Sequence, residues 1–200
     1  MTTALWFLAS YLLGAIPTSY LVARLAKGID LRQVGSKNLG ATNLYRSLGW
    51  AYAIPVGLFD VAKGTIPVLG FAPLAGGPPW VPLALGATAV LGHVFSVFVR
   101  FRGGKGVATA GGVMLGLAPW ATLVSLVTWI VTVRWTGYVS LGSILAAVVL
   151  PVGAYFLHPD LRPVIGVFAM LGLFIVVMHR ANIARLIAGT ENRFGQKVVP

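Results

Sequence analysis

Residues 50–74 read WAYAIPVGLFDVAKGTIPVLGFAPL, an apolar stretch that is interrupted by only two charges, Asp60 and Lys63. A helix needs roughly 20 residues to cross the hydrocarbon core of a bilayer, and this stretch is long enough. At a spacing of three residues the two charges share one helix face and can pair there. Charges at membrane depth are costly, so the pair either fixes helix packing or reaches a cavity that binds substrate.

The rest of the chain has the same apolar character. Of its 200 residues, 58% are hydrophobic and 10% are charged, and the mean hydropathy is +0.87. This composition is typical of a polytopic membrane protein and unusual for a soluble domain. The absence of cysteine excludes a disulfide framework, a thiol nucleophile and a thiolate metal site.

Hydropathy and proline positions predict an all-α polytopic membrane protein with about seven transmembrane helices, some of them short. We interpret residues 1–200 as a single integral membrane domain. Pro17 is expected to bend the first helix, and Pro119 to divide a long apolar run into two short helices that could also be re-entrant. The predicted spans are residues 3–23, 50–74, 80–99, 107–117, 120–133, 138–157 and 161–178.

The formal net charge of +11 has a topological explanation. In a soluble protein it would suggest a nucleic-acid partner, which we do not expect because the basic residues lie between apolar segments. Seven spans place only Arg162 on one side. By the positive-inside rule the other side is cytoplasmic, so the N-terminus is predicted outside and the C-terminus inside. The cytoplasmic side would hold Arg24, Lys27, Arg32, Lys37, Arg46, Arg100, Arg102, Lys105, Arg134, Arg180, Arg185, Arg193 and Lys197.

The same topology brings four polar segments to the cytoplasmic face. They are residues 35–43 (GSKNLGATN) with Arg46, residues 103–106 (GGKG), Ser140, and residues 179–191. Glycines let a backbone approach a ligand closely, and the neighbouring donors suit phosphate. The alternative is a set of solvated loops, which would not need so many glycines beside so many donors.

The GGKG segment is not a nucleotide-binding P-loop, because Gly106 stands where Ser or Thr would hold magnesium. Exposed backbone N–H groups at the start of a helix, with Lys105, suit a phosphate monoester without requiring a metal. The three histidines are scattered, which gives metal ligation little support. His179 is either a general base or an interfacial residue, and His93 either a packing or a functional residue.

Three segments together resemble the motifs of the bacterial acyl-phosphate:glycerol-3-phosphate acyltransferases, the PlsY family. These segments are residues 35–43 with Arg46, residues 103–109 (GGKGVAT), and residues 179–191, which hold His179, Asn182 and Glu191. The likeness covers essentially the whole chain. Lys37 departs from it, because glycine is expected there more often; its side chain could crowd the loop or add a phosphate contact.

The resemblance implies a reaction and a place in the cell. A long-chain acyl phosphate would donate its acyl group to the 1-hydroxyl of sn-glycerol 3-phosphate, giving lysophosphatidic acid and phosphate, the first step of bacterial phospholipid synthesis. No cofactor, metal or CoA is expected. The active site would lie at the cytoplasmic face of the bacterial inner membrane, with the acyl tail between helices in the bilayer.

The resemblance also implies roles for individual residues. The catalytic set would be Ser36, Arg46, Lys105 and His179, of which the first three bind glycerol 3-phosphate. Asn182 would lie beside them, and Glu191 would be structural. Two further groups are expected to touch substrate: the phosphate-loop residues Gly103, Gly104 and Gly106, and the acyl-phosphate candidates Asn38, Thr42, Asn43 and Ser140.

Two other classes of function compete with this interpretation. A small transporter for a phosphorylated metabolite is favoured by Asp60 and Lys63, but the chain shows no inverted repeat. A structural membrane subunit would leave the glycine-rich loops unexplained. The sequence leaves open the oligomeric state and the roles of Asp60, Lys63 and His93.

Overall fold

A computed structural model describes residues 2–195, and every regular element in that range is helical. Lys197, counted above with the cytoplasmic residues, lies outside the described range. The chain forms two compact units, residues 2–117 with α1–α7 and residues 118–195 with α8–α11. The helices are α1 (Thr3–Ala15), α2 (Thr18–Lys27), α3 (Ala41–Leu48), α4 (Trp50–Ile66), α5 (Ala72–Ala75), α6 (Val81–Val94), α7 (Val107–Leu117), α8 (Pro119–Thr136), α9 (Val139–Leu157), α10 (Ile165–Met178) and α11 (Arg180–Ile187).

The first span is broken at Pro17, as predicted. Helices α1 and α2 are bent by 42° there, because proline lacks an N–H group and cannot continue the hydrogen-bond ladder. Side chains from later in the chain satisfy two carbonyls at the break. The Ser96 hydroxyl donates to the carbonyl of Ala15, and Lys63 Nζ donates to the carbonyl of Ile16 at 3.0 Å.

The stretch at residues 50–74 forms one long helix. Helix α4 continues through a π turn (Pro67–Phe71) into α5, so the apolar helix spans Trp50–Ala75. Two glycines set how closely α4 and α7 pack. A Cβ at Gly64 would overlap the carbonyl of Thr109, and a Cβ at Gly112 would overlap that of Val61. Small residues at such contacts are typical of helix packing in membranes.

Proline also divides the apolar run in which two short helices are predicted, at residues 107–117 and 120–133. Helix α7 ends at Leu117 and α8 begins at Pro119, so the predicted division is confirmed. With 11 residues, α7 is shorter than a full span. The second unit starts at α8, which packs on α9 at Gly142: a Cβ there would meet Trp129 and Val133.

Within residues 2–195, four helices are long and apolar enough to cross a membrane, or five if the bent α1–α2 pair is one span. The four are Trp50–Ala75, Val81–Val99, Val139–Leu157 and Pro159–Met178. An all-α polytopic membrane protein is therefore confirmed. The total of seven spans, the orientation and the single domain stay predictions.

Candidate active site

The polar loop before α3 is held by one buried amide. Asn43, 1% exposed, accepts the Ser36 N–H at Oδ1 over 3.0 Å. Its Nδ2 lies within 3.0 to 3.2 Å of the carbonyls of Leu31, Val34 and Asn38. Buried polar groups are stable when they are hydrogen-bonded in this way. Asn43 therefore fixes the loop from residue 31 to residue 38, whatever substrate contact it also makes.

Other predicted residues lie around the loop that Asn43 holds. Arg46 is buried and stands one helical turn after Asn43 on α3, so both lie on the same face. Ser36, Asn38 and Thr42 are half-buried. The structure thus brings the residues of the first motif together in the first unit, while their contacts with substrate stay predictions.

Lys37 has an exposed side chain and a backbone in the left-handed region, with φ of 57°. Left-handed backbone costs a residue with a Cβ roughly 1–2 kcal/mol, and glycine avoids that cost. This conformation is the physical reason for expecting glycine at the position.

The glycine-rich loop before α7 is tied to the end of α6. The N–H groups of Gly103 and Gly104 donate to the carbonyls of Val94 and His93 at 2.9 and 3.2 Å. A Cβ at Gly104 would overlap the His93 ring and come within 2.9 Å of the Leu39 carbonyl. Because Leu39 belongs to residues 35–43, two of the predicted segments meet here.

The end of this loop has the geometry expected of a phosphate-binding segment. Gly106 has φ of +81°, a conformation that favours glycine. Helix α7 begins at the next residue, so its free N–H groups and its dipole favour an anion near half-buried Lys105. The prediction of a glycine loop at the start of a helix is confirmed, whereas phosphate binding stays a prediction.

In the second unit Glu191 is a hydrogen-bond hub. Its carboxylate accepts from Ser140 Oγ at 2.9 Å, Asn182 Nδ2 at 2.7 Å and Arg185 Nε at 2.6 Å. Burial favours the neutral acid, but the bonds from Asn182, Arg185 and Ser140 and the charge of Arg185 outweigh it, so the pKa of Glu191 is below its usual value. These contacts are those of a structural residue that ties α9, α11 and the C-terminal segment together.

His179 lies between α10 and α11 and is buried. Its Nδ1 is 2.8 Å from the Ile175 carbonyl, which can only accept, so Nδ1 carries the proton. In the neutral ring Nε2 is then an acceptor, which is the state a general base requires. Asn182 follows one turn later on α11.

The structure thus assembles two sets of predicted residues, one in each unit. That the two sets meet in one site stays a prediction. The contact between His93 and Gly104 was not predicted, because the chain leaves α6 after Val94 and turns before α7 begins at Val107, so no single helix or strand relates the two residues. Only the absence of a Cβ at Gly104 hints that another group lies close to the loop.

Comparison with known proteins decides the family. A family model described as glycerol-3-phosphate acyltransferase matches residues 4–189. The chain belongs to this family. A glycerol-3-phosphate acyltransferase of Geobacter sulfurreducens is 47% identical over 186 residues, covering 92% of this chain and 94% of the relative. Another, of Trichlorobacter lovleyi, is 46% identical over 198 residues, covering 97% and 99%.

Solved structures of the glycerol-3-phosphate acyltransferase family agree with the fold. The crystal structure of the integral membrane acyltransferase PlsY in its glycerol 3-phosphate form matches with a TM-score of 0.88 and 40% identity, covering 96% of each chain. The lysophosphatidic acid form matches with a TM-score of 0.84 and 37% identity, covering 97% of this chain and 96% of that one. The predicted resemblance to the PlsY family is therefore confirmed.

Proposed function

We propose that this chain transfers a long-chain acyl group from acyl phosphate to the 1-hydroxyl of sn-glycerol 3-phosphate, giving lysophosphatidic acid and inorganic phosphate. The observation that carries the proposal is the Gly103–Gly106 loop at the start of α7, packed beside the loop that Asn43 holds. The relatives, and the PlsY structures with glycerol 3-phosphate and lysophosphatidic acid, support the acceptor and the product. Acyl phosphate as donor rests on the three motifs.

The chemistry needs few groups from the protein. An acyl phosphate is a mixed anhydride and is already activated, which suits a chain without cysteine. The acceptor hydroxyl oxygen attacks the acyl carbonyl carbon, the bond from that carbon to the phosphate oxygen breaks, and phosphate leaves. The hydroxyl proton goes to His179 Nε2 or to a phosphate oxygen of a substrate. Positioning and cations that stabilise the developing oxyanion would supply the rate gain, without metal or CoA.

The predicted residues take roles that fit their surroundings. Ser36, Arg46 and Lys105 bind the phosphate of glycerol 3-phosphate, and the N–H groups of the glycine loop assist them. Asn38 and Thr42 face the acyl phosphate. Asn43 and Ser140 support that side by position, because their polar atoms already bond to loop carbonyls and to Glu191. His179 and Asn182 complete the acceptor side.

We place the site at the cytoplasmic face of a bacterial inner membrane, with the N-terminus outside and the C-terminus inside. The distribution of basic residues along the sequence supports this orientation. A tag at either terminus, probed with a membrane-impermeant reagent on intact cells, tests it. An N-terminal tag that reacts only after lysis would show that the N-terminus lies inside, and would contradict the proposed orientation.

The decisive experiment is a direct assay. Purified protein is incubated with palmitoyl phosphate and glycerol 3-phosphate in the presence of a chelator and without CoA, and lysophosphatidic acid is measured. Product should form under these conditions. A chain that forms none in several detergents and lipids, or that forms it only with acyl-CoA, would refute the proposed donor.

A narrower prediction tests the acceptor site. Arg46→Ala or Lys105→Ala removes a charged donor to phosphate, worth about 1.5–3 kcal/mol, so the KM for glycerol 3-phosphate should rise roughly 10- to 150-fold. Arg162→Ala, an exposed arginine of the second unit outside the proposed site, is the matched control and should leave the KM unchanged. Wild-type kinetics for both site variants would mean that the acceptor binds elsewhere.

The transporter alternative has lost its main support. Asp60 and Lys63 are both buried and form an ion pair, and Lys63 also donates to the Ile16 carbonyl. These contacts favour fixed helix packing over a cavity that binds substrate, and they offer no support for a solute path.

A further inference from the structure

Besides Arg46, three ionisable side chains are buried in the described part of the first unit, and the proposed reaction uses none of these three. They are Asp60 and Lys63 on α4 and His93 on α6, with Lys63 at 0% exposure. Lys63 Nζ lies 2.7 Å from Asp60 Oδ1, and His93 Nδ1 lies 3.9 Å from the same oxygen. Asp60 and Lys63 therefore form an ion pair, whereas the His93 ring lies near the carboxylate at a distance too long for a hydrogen bond.

One end of this cluster is anchored at the break in the first span. Lys63 donates to the carbonyl of Ile16, next to Pro17. Two further bonds tie the end of α6 to α1: Ser96 donates to the Ala15 carbonyl, and the Tyr11 hydroxyl to the Phe95 carbonyl at 2.7 Å. The residues after His93 are thus fixed against α1 by two neutral hydrogen bonds, while Lys63 ties α4 to the same break.

The other end of the cluster, at His93, contacts the Gly103–Gly106 loop. Gly103 and Gly104 donate their N–H groups to the carbonyls of Val94 and His93, and Gly104 leaves the space that the His93 ring fills. A movement of the ring or of the end of α6 would therefore act on Gly104, the residue before Lys105. Asp60 is the charged group that faces the ring from α4.

We propose that Asp60, Lys63 and His93 are positioning residues that set the Gly103–Gly106 loop where Lys105 binds the phosphate of glycerol 3-phosphate. The inference rests on the proposed function for the identity of the ligand. The inference predicts that the cluster controls binding of the acceptor, because the cluster positions a loop whose N–H groups and Lys105 would bind that phosphate. The chemical step at saturating substrate should change far less.

The first test compares His93→Ala with His93→Gln, which keeps a planar polar group against Gly104. For His93→Ala, the Kd of radiolabelled glycerol 3-phosphate from equilibrium dialysis, and the KM, should both rise about tenfold or more, with kcat within about threefold. His93→Gln should restore both constants to within about threefold of wild type. His158→Ala, at the end of α9 in the second unit, is the matched histidine control and should change neither.

The second test addresses the charged pair without leaving a lone buried charge. The double variant Asp60→Asn with Lys63→Met keeps the volume and removes both charges, so it should fold even where a single variant does not. It should raise the same Kd about fivefold or more, because the ring of His93 loses its charged neighbour and α4 loses its bond to the Ile16 carbonyl. Thermal unfolding confirms that each variant is folded.

The outcomes separate the two proposals. A wild-type chain that forms product, with His93→Ala and the double variant binding glycerol 3-phosphate normally, overturns the positioning role alone. Equal impairment of His93→Ala and His93→Gln, or a loss confined to kcat, also overturns it. A wild-type chain that binds glycerol 3-phosphate and forms no product refutes the acyl transfer, while the Kd values still decide the positioning role.

Discussion

Replacing Glu191 by alanine should destabilise the second unit through two buried donors. The carboxylate is 4% exposed, and its removal leaves the Ser140 hydroxyl and the Asn182 amide without this acceptor. Each buried donor that loses its partner costs about 1–3 kcal/mol. Arg185 is 34% exposed, so its lost ion pair adds less than about 1 kcal/mol. The two donors together therefore account for a loss of about 2–6 kcal/mol.

Thermal unfolding of the purified protein in detergent measures this loss. For a chain of this size, about 2–6 kcal/mol corresponds to a fall in Tm of roughly 5–20 °C. Glu191→Gln keeps one oxygen for Ser140 and Asn182 and should cost only about 1–2 kcal/mol. Asp160→Ala, which removes an exposed acid of the same unit, is the control. A Tm for Glu191→Ala within about 2 °C of wild type, or equal losses for Ala and Gln, would refute the reasoning.

Three further predictions concern pH and glycine. The pKa of Glu191 is lowered in the folded chain, so the ionised carboxylate stabilises the fold fully at neutral pH, and this contribution is lost as pH falls below the ordinary pKa of 4.5. Glu191→Gln should therefore reduce the acid-induced fall in Tm. An acid transition that the substitution leaves unchanged would contradict this prediction. Gly112→Ala should lower the Tm, because its Cβ would overlap the Val61 carbonyl where α7 packs on α4. The neighbouring substitution Gly111→Ala meets open space and should leave the Tm unchanged or slightly raised. Equal effects of the two substitutions would contradict this packing. Lys37→Gly should stabilise the loop by about 1 kcal/mol, because glycine adopts the positive φ of this position without strain. A lower Tm would contradict this prediction. A simultaneous rise in the KM for glycerol 3-phosphate would show that the lysine also binds phosphate.

Much of the fold was predictable because a membrane helix can be recognised from one contiguous apolar stretch of the sequence. Apolar runs of sufficient length gave the helices, and Pro17 and Pro119 marked the breaks where the structure has them. The first span was placed at residues 3–23, and the second of its two helices runs on to Lys27. Because α2 is amphipathic and carries Arg24 and Lys27 in its last turn, a prediction based on apolar residues alone ends the helix too early.

The sequence predicted which residues belong to the motifs, but not the contacts that these residues make with one another. The motifs placed Asn43 near substrate, and its geometry shows an amide engaged with four groups of its own loop. Glu191 was expected to pair locally, and Arg185 does bond to it, but Ser140 reaches it from 51 residues away. No sequence period carries such information, because these partners meet only after α9 and α11 have packed.

The bend at Pro17 bears on how the chain is assembled in the bilayer. The carbonyls of Ala15 and Ile16 bond to Ser96 and Lys63, which the ribosome adds about 50 to 80 residues later. Bare carbonyls are expensive in hydrocarbon, so we expect the first hydrophobic segment to stay near water or the translocon until those residues arrive. Nascent chains truncated before residue 63 should show slow, incomplete membrane integration of this segment, and prompt integration would contradict it. Biogenesis would then depend on the same lysine that shapes the mature enzyme.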